Sequence, residues 1–143
     1  MAALGLALGV LCLHLVFTQH TSVIHFVTNT PVIDQSQNMT LLCFVSVSAP
    51  HTNVTGISIM MDNGDDISRV LWAFIYDFYG EIIMDSIVRD IDRPHVTGEI
   101  YDNNKRGYLM LTWKNPGPDQ TGYYNCSVGT DKKRVSKGLT ISL

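Results

Sequence analysis

Two cysteines, each set in an alternating segment, constrain the fold of this chain most. Cys43 lies in the run Met39-Thr40-Leu41-Leu42-Cys43-Phe44-Val45, and Cys126 ends the run Gly122-Tyr123-Tyr124-Asn125-Cys126. In each run the cysteine shares one face of a two-residue period with apolar or aromatic neighbours. Because this is the period of a β-strand with one buried face, we expect both cysteines to point into the core.

The first residues read as a signal peptide. No charged side chain occurs from Met1 to Thr18, and the stretch from Ala7 to Phe17 is almost wholly apolar. That stretch has the length of a signal-peptide core and is too short to span a bilayer, although the usual basic start is missing. We predict a signal peptide at residues 1–20 and one domain at residues 21–143. A buried amino-terminal helix is less favoured, because polar residues follow directly.

Secretion sets the expected state of the cysteines. Cys12 would leave with the signal peptide, so Cys43 and Cys126 remain, and in a secreted chain they are expected to form a disulfide. Three glycosylation acceptor triplets begin at Asn38, Asn53 and Asn125. We therefore predict a secreted, disulfide-bonded glycoprotein.

Charge and hydropathy argue against two kinds of partner. The formal net charge is −3, and every charged residue follows the predicted signal peptide. A mildly acidic domain is a poor candidate for binding nucleic acid or an anionic membrane surface. No later segment is long and apolar enough to span a bilayer. We expect no membrane span and a soluble product, unless the chain is a fragment of a longer protein.

Further alternation and the turn residues predict an all-β fold. Strands are expected at Tyr108–Trp113 and Leu139–Leu143, and no segment has convincing helical periodicity. Asn63-Gly64 predicts a tight hairpin, and Asp102–Gly107 predicts a second hairpin that leads into Tyr108. The segment Asn115-Pro116-Gly117-Pro118 prevents continued pairing, so we expect it to carry the chain to another sheet.

The segment ending in Cys126 resembles the start of the sixth strand of an immunoglobulin-superfamily domain of variable or intermediate type. It has a tyrosine two residues and a glycine four residues before the cysteine, and the strand with Leu109, Leu111 and Trp113 precedes it. The resemblance implies an immunoglobulin-like two-sheet Greek-key sandwich with one inter-sheet disulfide. Gln120 stands where such domains usually have an Asp, so the acid of the ion pair that many of them make at this corner is missing.

Three short motifs are similar, more narrowly, to the amino-terminal immunoglobulin domains of mollusc fibrinogen-related defence lectins. They are Val54–Ile59, Val96–Glu99, and Leu111–Pro116 taken with Gln120-Thr121-Gly122. In that family the immunoglobulin part precedes a fibrinogen-like lectin domain. The resemblance covers the immunoglobulin part alone.

One core position of the resembled fold is displaced. Antibody domains carry a tryptophan on the strand after the first cysteine, where this chain has Gly56–Met61. Either Ile57 or Ile59 fills that position, or the strand is a later run that contains Trp72. We favour the first, because the Asn-Gly hairpin then joins this strand to the next. Trp113 would supply the missing ring.

Catalysis and metal binding have little support in the sequence. The histidines after the signal core are His20, His25, His51 and His95, and they lack metal-ligand spacing or a nearby nucleophile motif. Asp62–Asp66 lacks the Glu that closes a calcium loop and is expected to be a polar hairpin turn, and Asp90–Asp92 is expected to be a solvated loop rather than a calcium site. We expect no catalytic residues, no metal and no cofactor.

Two segments are candidate binding sites. One is the turn that carries Lys132, Lys133 and Arg134, which has the charge to bind an acidic or sulfated ligand or is simply a solvated turn. The other is the run 70–79, apolar on both alternating faces, whose candidate residues are Trp72, Phe74 and Tyr76. Either this chain or a partner covers the second face, and the sequence favours neither.

These observations together indicate a secreted immunoglobulin-like recognition or adhesion domain, of innate immune type, that binds a protein or glycan ligand without catalysis. The partner is a different molecule or a second copy of the chain. The alternative is an amino-terminal ectodomain fragment of a longer membrane receptor or fibrinogen-type lectin.

Overall fold

The computed structural model describes residues 22–62, 69–78, 81–85 and 93–143, with backbone only for 69–72 and 81–85. The predicted signal peptide and Cys12 lie outside these ranges. The described chain forms β-strands and one 3-10 turn, Pro118–Gln120. The strands are β1 (Ser22–Thr28), β2 (Met39–Val47), β3 (Val54–Asp62), β4 (Arg69–Phe78), β5 (Glu81–Asp85), β6 (His95–Tyr101), β7 (Arg106–Trp113), β8 (Gly122–Thr130) and β9 (Arg134–Ile141).

The strands form two antiparallel sheets. One has the order β1-β2-β7-β6, and the other has the order β5-β4-β3-β8-β9. Buried and half-buried residues alternate strictly along β2, as the two-residue period predicts. The prediction of an all-β, immunoglobulin-like sandwich is confirmed. The segment 114–121 joins β7 of the first sheet to β8 of the second, so the predicted change of sheet is confirmed as well.

The disulfide joins the two sheets through the middle of the core. Cys43 on β2 and Cys126 on β8 are both fully buried and bonded, with Cα atoms 6.3 Å apart. Ile59 on β3 is the register partner of Cys126 and is itself fully buried, as is Ile57. Aliphatic residues therefore fill the core position of the strand after the first cysteine, and Trp72 lies on β4, as the favoured alternative predicts.

A buried tyrosine fixes the corner at which the chain enters β8. The hydroxyl of Tyr124 donates a hydrogen bond to the backbone oxygen of Gln120 over 2.7 Å. Burial raises the pKa of Tyr124 well above its usual range, because the ionised form would lose its hydration. The ring of Trp113 packs edge-on against the Tyr124 ring, with centroids 6.2 Å apart. Trp113 thus places an indole in the core from the opposite sheet.

Gln120 has a structural role at this corner. Its side-chain oxygen accepts a hydrogen bond from the backbone N–H of Gly117 over 2.7 Å, and its backbone N–H donates to the Gly117 oxygen over 3.0 Å. This pair of bonds closes the 3-10 turn. The neutral side chain that replaces the usual acid here therefore satisfies the backbone of the turn.

The structure describes the turn of one of the two predicted hairpins. Between β6 and β7, Asp102, Asn103 and Asn104 take left-handed φ values of 56°, 52° and 60°, which Asp and Asn tolerate best after glycine. Between β3 and β4, the last register pair is Asp62 with Arg69. The two strands are antiparallel neighbours, as the predicted hairpin requires, and the tight turn predicted at Asn63-Gly64 is not tested. Those residues lie outside the described ranges.

The first strand, β1, was not predicted from the sequence. It pairs with β2, and the chain then crosses to the other sheet at Thr30-Pro31, where Val32 forms a parallel bridge to Ser142. Two hydrogen bonds hold this crossing: Ile33 N–H donates to the Ser142 oxygen over 2.8 Å, and Ser142 N–H donates to the Pro31 oxygen over 2.9 Å. β1 thus belongs to the four-stranded sheet, while the segment directly after it is hydrogen-bonded to the end of β9 in the other sheet.

Candidate functional site

The outer face of the five-stranded sheet carries a row of aromatic side chains from β4. Ala73 and Ile75 on this strand are fully buried, so Phe74, Tyr76 and Phe78 point away from the core. The rings of Phe74 and Tyr76 are 5.2 Å apart, Tyr76 is 36% exposed, and Phe78 is 60% exposed. Two of the three predicted binding aromatics therefore lie side by side on one surface.

The third predicted aromatic, Trp72, lies at a break in strand pairing. Ile59 pairs with Ala73, whereas Met60 pairs with Leu71, so Trp72 is the extra residue of a bulge in β4. Its side chain lies outside the described part of the structure. The bulge was not predictable from the alternation of the run.

Two glycines form the floor beside Tyr76. Strand register places Tyr76, Gly56, Gly129 and Arg134 in one row across four strands. A Cβ atom built on Gly56 would overlap the ring carbons Cδ1 and Cε1 of Tyr76, so the ring lies flat over the bare backbone of the glycine. Tyr76 is thus held on the sheet rather than free in solvent.

The next row is built from small hydroxyl side chains. Phe74, Ser58, Ser127 and Ser136 are register neighbours in that order. Ser58 and Ser127 are buried although they point away from the core, and Arg134 donates from Nη1 to the Ser127 hydroxyl over 3.5 Å. The floor is therefore polar and shallow, with aromatic rings along one side and a guanidinium on the other.

Another aromatic side chain on the outer face of this sheet is Tyr123, near the start of β8. Tyr123 is 45% exposed, and its ring covers Gly138 of β9, since a Cβ atom on that glycine would overlap the phenol group. Tyr123 points outward because it lies three residues before the inward-pointing Cys126 and successive side chains of a strand alternate between its two faces. Its place over a glycine follows only from the register of β8 and β9. We call the surface formed by Phe74, Tyr76, Phe78, Tyr123 and Arg134 the aromatic face.

The three predicted cationic residues do not form one cluster. Arg134 lies on the aromatic face, while Lys132 and Lys133 are exposed at the tip of the β8–β9 turn. The Thr130 hydroxyl accepts from the backbone N–H groups of Lys132 and Lys133 over 3.2 and 3.0 Å and so shapes this turn. Asp131, next to them, accepts from the Asn53 N–H over 3.0 Å. The turn therefore places a carboxylate beside its exposed cations.

The predicted glycosylation acceptors occupy three different settings. Asn38 is exposed in the β1–β2 connection, and Asn53 is half-buried just before β3, with its amide near the Asp131 carboxylate. Asn125 is half-buried within β8 and points to the outer side of the sheet. Its Oδ1 atom is buried and has no hydrogen-bond partner among the described residues.

The described histidines are dispersed over the molecule. His25 lies on β1 and His95 on β6, the two edges of the four-stranded sheet, and His51 lies in the connection before β3. Among the residues that the structure describes, no three His, Cys, Asp or Glu side chains are close enough to hold a metal ion. Both predicted polar loops lie mainly outside these residues.

The described chain has no helix that is long and apolar enough to cross a bilayer. No known protein-family model matches the chain, and no curated protein matches it either. The functional argument therefore proceeds from the geometry of the surface.

Proposed function

We propose that this protein is a secreted immunoglobulin-superfamily recognition domain of innate immune or adhesion type, which binds a protein or glycan ligand without catalysis through the aromatic face. The observation that carries this proposal is the exposure of Tyr76 and Phe78 on β4, with a floor of glycine and serine between Tyr76 and Arg134 on β9. A second copy of the chain is the first partner to test.

The composition of the face favours recognition over simple solvation. Tyrosine, phenylalanine and arginine are enriched at protein interfaces, and a few such anchors carry most of the binding energy. Tyr76 and Tyr123 are packed over glycines, so a ligand would meet rings already held in place. Less side-chain entropy is lost on binding when the anchors are ordered beforehand.

The exposure of the aromatic face also indicates whether the same chain or a partner covers the outer side of β4, whose sequence is apolar on both alternating faces. Phe74 is half-buried by its neighbours, which is what cover by the same chain predicts. Tyr76 and Phe78 keep 36% and 60% of their surface exposed, which is what a partner surface predicts. The exposed pair therefore favours a partner for the end of β4 that carries these rings.

Secretion is supported by the chemistry of the domain. Structural disulfides such as Cys43–Cys126 form and persist mainly in oxidising compartments. The exposed acceptor Asn38 and the apolar leader are consistent with the same route.

The test is a pair of matched variants. Phe78→Ser removes an exposed ring from the aromatic face, and Val27→Ser removes an exposed apolar side chain, 51% exposed, from the outer side of the other sheet. We expect Phe78→Ser to weaken self-association, or binding to a partner found in an extracellular protein and glycan panel, by about 2 kcal/mol. Val27→Ser should leave binding unchanged, and both variants should keep the wild-type unfolding midpoint.

Sedimentation over a range of concentrations measures self-association, and thermal unfolding measures the midpoint. A wild-type protein that stays monomeric at every concentration and binds nothing in the panel would contradict the proposal. An equal loss of binding in both variants would show that the aromatic face is not the binding surface.

A further inference from the structure

The outer face of the four-stranded sheet is apolar along its middle, where water would ordinarily meet polar side chains. Leu42 and Phe44 on β2 and Met110 on β7 are half-buried there, and Leu42 and Met110 are register partners. They point away from the core because Cys43 and Leu109, which alternate with them in sequence, are fully buried. Adjoining apolar side chains on an outer face mark a surface that another group contacts.

The predicted glycosylation acceptor Asn38 lies at one end of this face. It is exposed and directly precedes β2. The side chain of Asn29 holds this segment in place: its amide nitrogen donates to the Asn38 backbone oxygen over 2.9 Å, and its oxygen accepts from the Thr40 N–H over 2.7 Å. These bonds continue the β1–β2 ladder beyond the pair of Thr28 with Leu41. Because side chains alternate along a strand, Asn38 lies on the same outer side as Thr40.

We propose that an N-linked glycan on Asn38 lies along this face and covers Leu42, Phe44 and Met110. Four residues, about 13 Å at strand spacing, separate Asn38 from Leu42 and its partner Met110, so a chain of several sugars is required. The C–H side of a sugar ring packs on the apolar side chains while its hydroxyl groups face water, which removes apolar surface from solvent and keeps the domain soluble. This inference rests on the secretory route of the proposed function and not on the aromatic face.

The covalent link lets a weak contact suffice. A group that is tethered near its site has an effective concentration in the millimolar range, so a contact with a Kd of about 1 mM is formed about half of the time. Free sugars at lower concentration would leave the same face open. The attached glycan is therefore a better fit to this shallow face than a soluble ligand.

The other two predicted acceptors do not reach this face. Asn53 lies just before β3, beyond the far end of β2, and Asn125 lies on the outer side of the other sheet. A glycan on Asn38 also keeps a protein partner away from the four-stranded sheet. The two outer faces of the sandwich therefore have different roles, one covered by sugar and one open for recognition.

The test uses methionine oxidation as a reporter for each face. The secreted full chain is compared with Asn38→Gln and with Asn53→Gln, the matched control that also loses one acceptor. A fourth sample is wild type trimmed by an endoglycosidase to the first sugar. Dilute hydrogen peroxide converts accessible methionine to its sulfoxide, and peptide mapping measures the rate at Met110 and at Met60, which is half-buried on the outer side of the other sheet.

We expect Met110 to be oxidised at least about twofold faster in Asn38→Gln than in wild type, because the tethered glycan covers its thioether for about half of the time or more. Trimmed wild type should match Asn38→Gln, since the first sugar alone does not reach Met110. Asn53→Gln should match wild type, and the rate at Met60 should be the same in every sample. The thermal unfolding midpoint verifies that each sample is folded, and trimmed wild type supplies the comparison if Asn38→Gln is not secreted.

Three results overturn the assignment. They are an unmodified Asn38 in the secreted protein, an unchanged rate at Met110 after the Asn38 glycan is lost, and equal increases at Met110 and Met60, which would show a general loosening of the fold. An unmodified Asn38 beside a modified Asn53 overturns the cover alone, whereas absence of any glycan contradicts the predicted glycoprotein as well. None of these results depends on Phe78→Ser, so the recognition function is tested separately.

Discussion

Replacement of Gly56 by alanine tests whether the Tyr76 ring is held on the sheet by the glycine beneath it. Gly56 has no left-handed backbone angle, so alanine is allowed by the backbone itself. In a strand without a steric conflict, alanine stabilises relative to glycine by roughly 0.5–1 kcal/mol. At Gly56 the new Cβ atom overlaps the Tyr76 ring, and it also approaches the Ile75 carbonyl oxygen at 3.2 Å. The ring must therefore leave its place.

The size of the effect follows from the burial of the ring. Tyr76 is 36% exposed, so displacement returns roughly two-thirds of its surface to water. Full burial of a large apolar side chain is worth about 1.5–3 kcal/mol, and two-thirds of that is about 1–2 kcal/mol. After the intrinsic gain from alanine is subtracted, we expect Gly56→Ala to destabilise the domain by about 1 kcal/mol, or roughly 4 °C in the unfolding midpoint.

Two comparisons isolate the ring as the cause. Gly129 lies in the same row, but a Cβ atom there meets only the Thr55 hydroxyl at 3.2 Å, the end of an exposed side chain that can rotate away. Gly129→Ala should therefore be neutral or slightly stabilising. In a Tyr76→Ala background the ring is gone, and Gly56→Ala should stabilise the domain by roughly 0.5–1 kcal/mol, the intrinsic gain of alanine over glycine.

Urea unfolding of the four proteins in the Gly56 and Tyr76 cycle measures the coupling, which we expect to be about 1–2 kcal/mol, the free energy of displacing the ring. If Gly56→Ala costs the same with and without the Tyr76 ring, the conflict lies with the Ile75 carbonyl instead. The argument that the glycine holds the ring would then be refuted.

Three other predictions concern the core and the surface. Tyr124→Phe should cost about 1–3 kcal/mol in urea unfolding, because the buried corner carbonyl loses its donor. Burial raises the pKa of Tyr124, so the stability that the buried, protonated Tyr124 contributes is fully present below the pKa of about 10 that it has in the unfolded chain. That stability is lost as pH rises above this value. The wild type should therefore lose more stability in alkali than Tyr124→Phe. Non-reducing peptide mapping should recover a Cys43–Cys126 cross-link, and its reduction should cost about 4.5 kcal/mol for a separation of 83 residues; two alkylatable thiols in the native protein would contradict this. Site-resolved mass spectrometry should find Asn53 occupied more fully than Asn125, and the reverse order would reject the prediction.

The core was predictable from sequence because its signals are local. The spacing between Tyr124 and Cys126 and the alternation around Cys43 each depend on a few neighbouring residues, and the structure reproduces both. The turn at Asp102–Asn104 was predictable for the same reason, since Asp and Asn tolerate left-handed angles.

The surface was less predictable because it depends on register between distant strands. The row from Tyr76 to Arg134 depends on the pairing register of four strands, which shifts at the β4 bulge at Trp72 and again next to the row, between Val54 and Gly56. Alternation within one strand contains no information about either shift. A groove where β6 begins and β7 ends is likewise lined by residues that are far apart in sequence, Arg93, Lys114 and Gln120.

Asn125 links the glycosylation prediction to the proposed recognition function. It lies on the outer side of β8, with Met60 and Gly138 as its register neighbours and Tyr123 two residues before it. A glycan at this position would project from the middle of the sheet and cover the approach to the aromatic face. Recognition through that face therefore requires most molecules to be unmodified at Asn125. Full occupancy of Asn125 in the secreted protein would contradict the predicted order of occupancy and exclude the aromatic face as the binding surface.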